Sequence, residues 1–362
     1  MNGNARIVYL VNLVLLLTAM PTWAVVDTRD IDAVREKRVL NDQDLAVIDA
    51  FMKDAIQELV YTRDFSSISK TRAIILSRRT ASAQYNQKFS DAAHTYITQG
   101  FQLAQELDPA RCNRVQMNLL VLVYRLADAR LIDIAFDWTE AQSAPVRFWA
   151  YRVLTGPVVV ELVNQGSQTA LTEQILTHLS QGIKAGNPDI LDLIISFVGQ
   201  LSGDTGRDLL NQIVAQRFDV YEHWSVQSPL LDGQVLRILC QHIQAKGDDR
   251  LECARHFTQL YSYVIQALIQ GQSVLKEAVL GDLTAVTVDV EDKCLTGLLG
   301  RAQTTLKRAA EKSDMDAIQT EHDRLLGTAT TRGELPQALQ INYGSLPDGR
   351  ERTQPKTLPA AP

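Results

Sequence analysis

Four prolines divide this chain at nearly even distances. Asp108-Pro109, Ser143-Ala144-Pro145, Asn187-Pro188 and Ser228-Pro229 each place a turn or capping residue before a proline, at intervals of 36, 43 and 41 residues. Proline is favoured at the first helical position, where its missing amide hydrogen has no intrahelical partner to lose. Six residues after each proline stands a residue with an apolar body: Val115, Tyr151, Ile194 and Val235. Segments this short, apolar along one side, cannot cover that side alone. A period near 40 residues therefore predicts antiparallel helical hairpins, each burying its face against the next. Residues 143–163 show the device most openly, as a bulky apolar helix cut at Gly156-Pro157 and followed at once by a second apolar segment.

The rest of the chain extends the same pattern. Asn41-Asp-Gln-Asp44 caps a segment in which Leu45, Ile48, Ala55, Ile56 and Leu59 recur at helical spacing. Phe89, Ala93, Ile97, Phe101 and Ala104 share one side of a later helix. Leu283 to Val290 is the one alternating, β-branched run, but an isolated strand has no edge to pair with, so it reads as a helix end or connector. Residues 25–40 read as a linker and 41–326 as one all-helical repeat-like domain. From 327 to 362 Thr, Gly, Pro and Arg dominate, and that tail is expected to be disordered.

Ala144-Pro-Val-Arg-Phe-Trp-Ala-Tyr-Arg-Val-Leu154, with its Val-Arg pair and following Ala and Leu, resembles the helix of HEAT-like repeats. Asn187-Pro-Asp-Ile-Leu-Asp-Leu-Ile-Ile-Ser-Phe-Val198 is similar but lacks the arginine, and the likeness covers residues 109–270. It implies an all-α chain whose antiparallel hairpins stack as an α-solenoid scaffold; a compact irregular helical bundle is the alternative. It implies nothing about ligand or chemistry.

The N-terminus bears on compartment. A short cationic start containing Arg6 precedes the apolar run Ile7 to Met20, then Pro21 and Thr22-Trp23-Ala24. Small residues three and one before the next bond fit a signal-peptidase site, so residues 1–24 are expected to be a signal peptide cleaved after Ala24. The run is shorter than the ~20 residues a membrane span needs. The expected product is periplasmic or extracellular, with no stable membrane insertion. Its net charge of −6, or −7 without Arg6, argues against nucleic acid and anionic lipid as partners.

Cys240 and Cys253 lie nearly equidistant from the turn Ala245-Lys246-Gly247-Asp248, so an antiparallel hairpin places them opposite each other as a candidate disulfide. Cys112 and Cys294 sit several repeats apart in a linear array, and their pairing would require a closed shape. His242 and His256 flank the first pair, but Cys240 and His242 project about 200° apart on one helix, so no metal site is expected there. Ser67-Ile-Ser-Lys70 matches the Ser-x-x-Lys element of penicillin-interacting serine enzymes without the other elements such a site needs. Arg147, Phe148, Trp149, Tyr151 and Arg152 form a candidate binding face, since arginine and aromatic anchors are common in interfaces. With no catalytic motif and no cofactor indicated, the leading expectation is an exported, non-enzymatic helical scaffold that binds a protein or cell-envelope component. The alternative is an exported helical enzyme, such as an envelope hydrolase, with a site assembled from distant residues.

Overall fold

The computed structural model describes residues 26–80, 82–166, 168–345 and 349–362. The expected signal segment and its cleavage position at Ala24 lie outside them. The fold is all-α. Among the described residues the only strand-like pairings are the isolated bridges Gly327 to Arg332 and Ser345 to Glu351. Instead of one domain over 41–326, the chain divides into two compact units, Met1–Ile134 and Ala135–Pro362.

The first unit holds α1 (Arg29–Arg35), α2 (Asp42–Tyr61), α3 (Phe65–Ser77), α4 (Ala83–Ala104) and α5 (Pro109–Leu126). The expected linker thus contains a helix, and it is held because α1 buries Ile31 and Val34. Asn41 and Asp44 form a reciprocal capping box that starts α2, as their spacing predicts. α2 lies along α3 and α4, and α5 covers α3 and α4, enclosing Met52, Leu59, Phe89, Ile97 and Leu119.

The second unit begins with α6 (Ala144–Leu154), α7 (Pro157–Gln165), α8 (Thr169–Ala185), α9 (Pro188–Val198), α10 (Gly203–Glu222) and α11 (Leu230–Ala245). α12 (Arg250–Gln270) and α13 (Glu277–Val290) follow. Pro109, Pro145 and Pro188 occupy the first turns of their helices, and Pro229 immediately precedes α11. Inside this unit α8 contacts α10 and α10 contacts α12, while α9 contacts α11 and α11 contacts α13. Alternate helices therefore pack like against like. The run Leu283 to Val290 is the second half of α13, its β-branched residues facing the core at Val286 and Val290.

Two buried polar anchors fix this arrangement. Arg217 in α10 donates from Nε and Nη2 to the Asp232 carboxylate in α11 at 2.6 and 3.1 Å, and Tyr221 donates its hydroxyl to the same carboxylate at 2.7 Å. After α13 a π-helical turn, Glu291–Leu295, aims the buried Glu291 carboxylate at the amides of Leu306 and Lys307. A carboxylate there satisfies orphan amides at the start of α15 (Thr305–Glu311), which follows the short α14 (Thr296–Leu299).

The C-terminal region differs from its expected disorder. After α16 (Met315–Leu326) comes α17 (Glu334–Leu339), and Leu335, Leu339, Ile341 and Leu358 are buried. Sparse as they are, these apolar side chains find a receiving surface on α12 and α16. Composition alone does not reveal that surface.

Candidate functional site

α12 is apolar on nearly every side, from Phe257 to Leu268, yet a polar stripe runs through it. Thr258, Ser262 and Gln266 recur every four residues on one side and all are buried; Gln259 adjoins them, half exposed. A helix buried all round carries polar groups only where partners are supplied. Here many of the partners come from the last residues of the chain.

The C-terminal segment crosses α12 without regular secondary structure. Gln259 donates from Nε2 to the carbonyl oxygen of Lys356 at 3.1 Å and accepts its amide hydrogen on Oε1 at 2.9 Å. One turn pair further along, Gln266 donates to the same carbonyl at 3.2 Å and accepts from the Leu358 amide at 2.8 Å. Trp224 donates its indole N–H to the Pro359 carbonyl at 3.0 Å, and Arg255 donates to the Asn342 carbonyl at 3.2 Å. Pro355 and Leu358 turn inward while Lys356 and Thr357 face solvent. That three-residue spacing of inward side chains is the repeat of a polyproline II segment.

Beside this crossing lies a cavity of about 470 Å³ lined by Phe218, Glu222, His256, Gln259, Tyr263 and Lys356, among others. Phe218 meets Tyr263 edge-on with ring centroids 5.6 Å apart. Tyr263 donates its hydroxyl to Glu222 at 2.6 Å, and burial together with that carboxylate pushes its pKa up. His256 places a buried Nδ1 with no protein partner against this wall, and burial lowers its pKa. The cavity is apolar with a few fixed polar groups, the composition of a ligand pocket.

Behind the stripe stands a Ser-His-Asp alignment. Asp323 lies 3.1 Å from His322 Nδ1, and His322 Nε2 lies 2.9 Å from Ser262 Oγ, which also accepts from Gln266 Nε2 at 2.7 Å. The order of contacts is that of a hydrolytic triad, but Ser262 is 0% exposed and sits mid-helix, where its neighbours' amides are spent on the helix. The chain of contacts instead fixes the side-chain amide of Gln266, with Ser262 donating to a neutral His322 whose pKa burial lowers.

The residues singled out from sequence fall elsewhere. Tyr151 is buried, donates to the His178 carbonyl at 3.3 Å and packs against Gly182 of α8, where an added Cβ would sit 2.6 Å from its ring. Arg147 donates to the Ala141 carbonyl at 2.6 Å. Phe148 and Trp149 are edge to face at 6.2 Å, with Arg152 over the Trp149 ring at 5.7 Å, all half-buried. The expected face is therefore split, because Tyr151 belongs to the packing between α6 and α8. Ser67 is not poised for chemistry: its amide and hydroxyl both bond to Asp64, the residue that caps α3.

The expected Cys240–Cys253 bridge is absent, and all four cysteines are free. Their equal distance from the turn does not make them face each other. Cys240 is a hydrogen-bond partner of Cys294 in the π-helical turn, whereas Cys253 donates to Asp249 at 3.6 Å, and its thiol pKa is raised by burial and by that carboxylate to about 12. His242 and Cys240 do diverge, as their angular separation predicts. Gln259, Gln266 and Asp249 carry no sequence motif; the signal available for the glutamines was the polar stripe in an otherwise apolar helix.

No protein-family model and no curated protein sequence matches the chain. Among solved structures it aligns with an engineered protein at 12% identity and TM-score 0.26, covering 88% of this chain and 95% of that one. It also aligns with a computationally designed self-assembling cyclic homo-oligomer at 10% identity and TM-score 0.19, covering 85% and 97%. Similarity at that level carries no argument about arrangement or function.

Proposed function

We propose that this protein is an exported, non-enzymatic scaffold of HEAT-like hairpins that holds an extended peptide segment of a partner protein across α12. The observation carrying this reading is the grip of Gln259 and Gln266 on the backbone of Lys356 and Leu358. Paired side-chain amides that read main-chain N–H and C=O groups do for an extended peptide what a neighbouring strand does in β-augmentation. Specificity then comes from the burial of Pro355 and Leu358, the two inward side chains of the segment. The chain's own Gln354-Pro-Lys-Thr-Leu-Pro359 occupies the groove in cis, and a partner segment with an apolar residue every third position competes with it.

The test is a fluorescent peptide of residues 353–362 added to the full chain and to its Leu358→Asp variant, whose tail cannot dock. Saturable anisotropy is expected in both, with tighter binding to the variant because no cis competitor remains. Absence of saturable binding to Leu358→Asp, with its helical circular dichroism intact, would overturn the reading.

A further inference from the structure

The turn between α11 and α12 gathers three metal-ligating groups that no sequence pattern joins. His242 lies in the last turn of α11, Asp249 is the residue before α12, and Cys253 is in the first turn of α12. Lys246 ends α11 in the left-handed conformation at φ 58°, which folds the chain back and brings the two helix ends together. Asp249 Oδ2 stands 2.7 Å from His242 Nδ1 and 3.6 Å from Cys253 Sγ. The ligating atoms of all three lie within 4.8 Å of one another. With metal–nitrogen and metal–oxygen bonds near 2.1 Å and metal–sulfur near 2.3 Å, tetrahedral zinc needs donors about 3.3–3.7 Å apart. The Asp249–Cys253 separation already falls in that range, and the His242–Asp249 pair must open by about 0.6 Å to reach it.

We infer that His242, Asp249 and Cys253 form a binding site for one divalent transition-metal ion of the zinc class. One thiolate, one imidazole and one carboxylate make a borderline-soft set that disfavours magnesium and calcium, which take all-oxygen cages. Three protein ligands leave the fourth tetrahedral position to water. Cys253 is buried and His242 and Asp249 are half-buried, so the ion enters from the solvent side of the turn. Binding breaks the Cys253 S–H bond heterolytically and sends its proton to solvent, while the sulfur pair forms the bond to the metal. His242 gives the Nδ1 lone pair with its proton on Nε2, Asp249 is already anionic, and no electron is transferred. The dication, thiolate and carboxylate sum to zero charge, which suits a partly buried position. The inference does not rest on the peptide-binding reading, because it is argued from the contacts of His242, Asp249 and Cys253 with one another.

The experiment is titration of the full-length, thiol-reduced protein with Co²⁺ alone. The expected result is a thiolate-to-cobalt charge-transfer band with tetrahedral d–d bands, saturating at one ion per chain and displaced by Zn²⁺. Cys253→Ser abolishes the charge-transfer band, and His242→Ala and Asp249→Asn each weaken binding at least about tenfold, since loss even of a group that only hydrogen-bonds to a ligand costs about that much. A Cys240→Ser/Cys294→Ser double variant keeps the band. A spectrum that stays octahedral and aqueous at millimolar cobalt overturns the site, as does a band that survives Cys253→Ser. His242→Ala changes a partly exposed side chain, so it keeps the test open if Cys253→Ser fails to fold.

Discussion

Gln259 meets Lys356 with both ends of its side-chain amide, donating to the carbonyl and accepting from the N–H. Neither contact involves the lysine side chain, which faces solvent. A helix that recognises main chain in this way discriminates extended peptide from helix, whose own N–H and C=O groups are already paired. With Gln266 repeating the device seven residues on, α12 offers a short two-point ladder to one segment, and the inward Pro355 and Leu358 set its register.

Removing that ladder should free the tail and leave the helices in place. Each intramolecular hydrogen bond contributes about 0.5–1.5 kcal/mol net, so Gln259→Ala, which loses two, should weaken docking by about 1–3 kcal/mol. Limited proteolysis is expected to cut within residues 353–362 of the variant much faster than in the parent, with unchanged helical circular dichroism. Equal cutting rates would mean that the amide contacts do not hold the segment.

The Arg217–Asp232 pair is the opposite case, a buried contact that serves the fold. Both side chains are almost fully enclosed, at 4% and 0% exposure. Asp232→Ala leaves a guanidinium and the Tyr221 hydroxyl without their carboxylate and is expected to cost about 3–5 kcal/mol in chemical denaturation. Replacing both partners, Arg217→Met with Asp232→Leu, should recover most of that loss.

Gly182 marks the close approach of α8 to Tyr151. An added Cβ meets ring carbons at 2.6 and 2.9 Å, so Gly182→Ala forces the tyrosine out of place and should destabilise by about 1–3 kcal/mol. The helix preference of alanine over glycine, about 1 kcal/mol, works against this but is the smaller term. In a Tyr151→Leu background the same substitution should become neutral or stabilising, as measured by a double-mutant cycle.

His322 gives stability a pH dependence of known sign. Burial lowers its pKa in the folded chain below the ordinary 6.5, with Asp323 opposing in part. On acidification the unfolded chain takes up the proton first. Stability is thus full above pH 6.5, falls by up to about 1.4 kcal/mol per pH unit below it, and levels off beneath the folded value. Protonation also turns His322 Nε2 from acceptor to donor, so Ser262 must reorient and Gln266 loses its fixed position. His322→Gln should make this limb shallower, with His256 and His178, whose pKa values burial also lowers, supplying the remainder, and should suppress the accompanying rise in tail proteolysis.

The helical class and the proline-marked starts were legible because they rest on local chemistry: Pro109, Pro145 and Pro188 each stand where a helix amide needs no partner. The capping box at Asn41 was legible for the same reason. What depends on which faces meet was not. Cys240 and Cys253 are symmetric about their turn in sequence, yet rotation about each helix axis sends one to Cys294 and the other to Asp249. Tyr151 read as an anchor among aromatics because Gly182, the space that receives it, lies on another helix. The tail read as disordered because its few apolar residues gain burial only from distant helices, α12 and α16, and nothing local to residues 353–362 reports that Gln259 and Gln266 of α12 offer side-chain amides to its backbone.

The account turns on whether the groove exchanges its own tail for a separate peptide. Backbone amide hydrogen exchange of Lys356 and Leu358 in the full chain, with and without excess free peptide of residues 353–362, tests this most directly. The account predicts that both amides are protected in the protein alone and lose protection progressively as free peptide is added, while amides of α12 remain protected. Unprotected Lys356 and Leu358 amides in the protein alone, or protection that excess peptide leaves untouched, would contradict it.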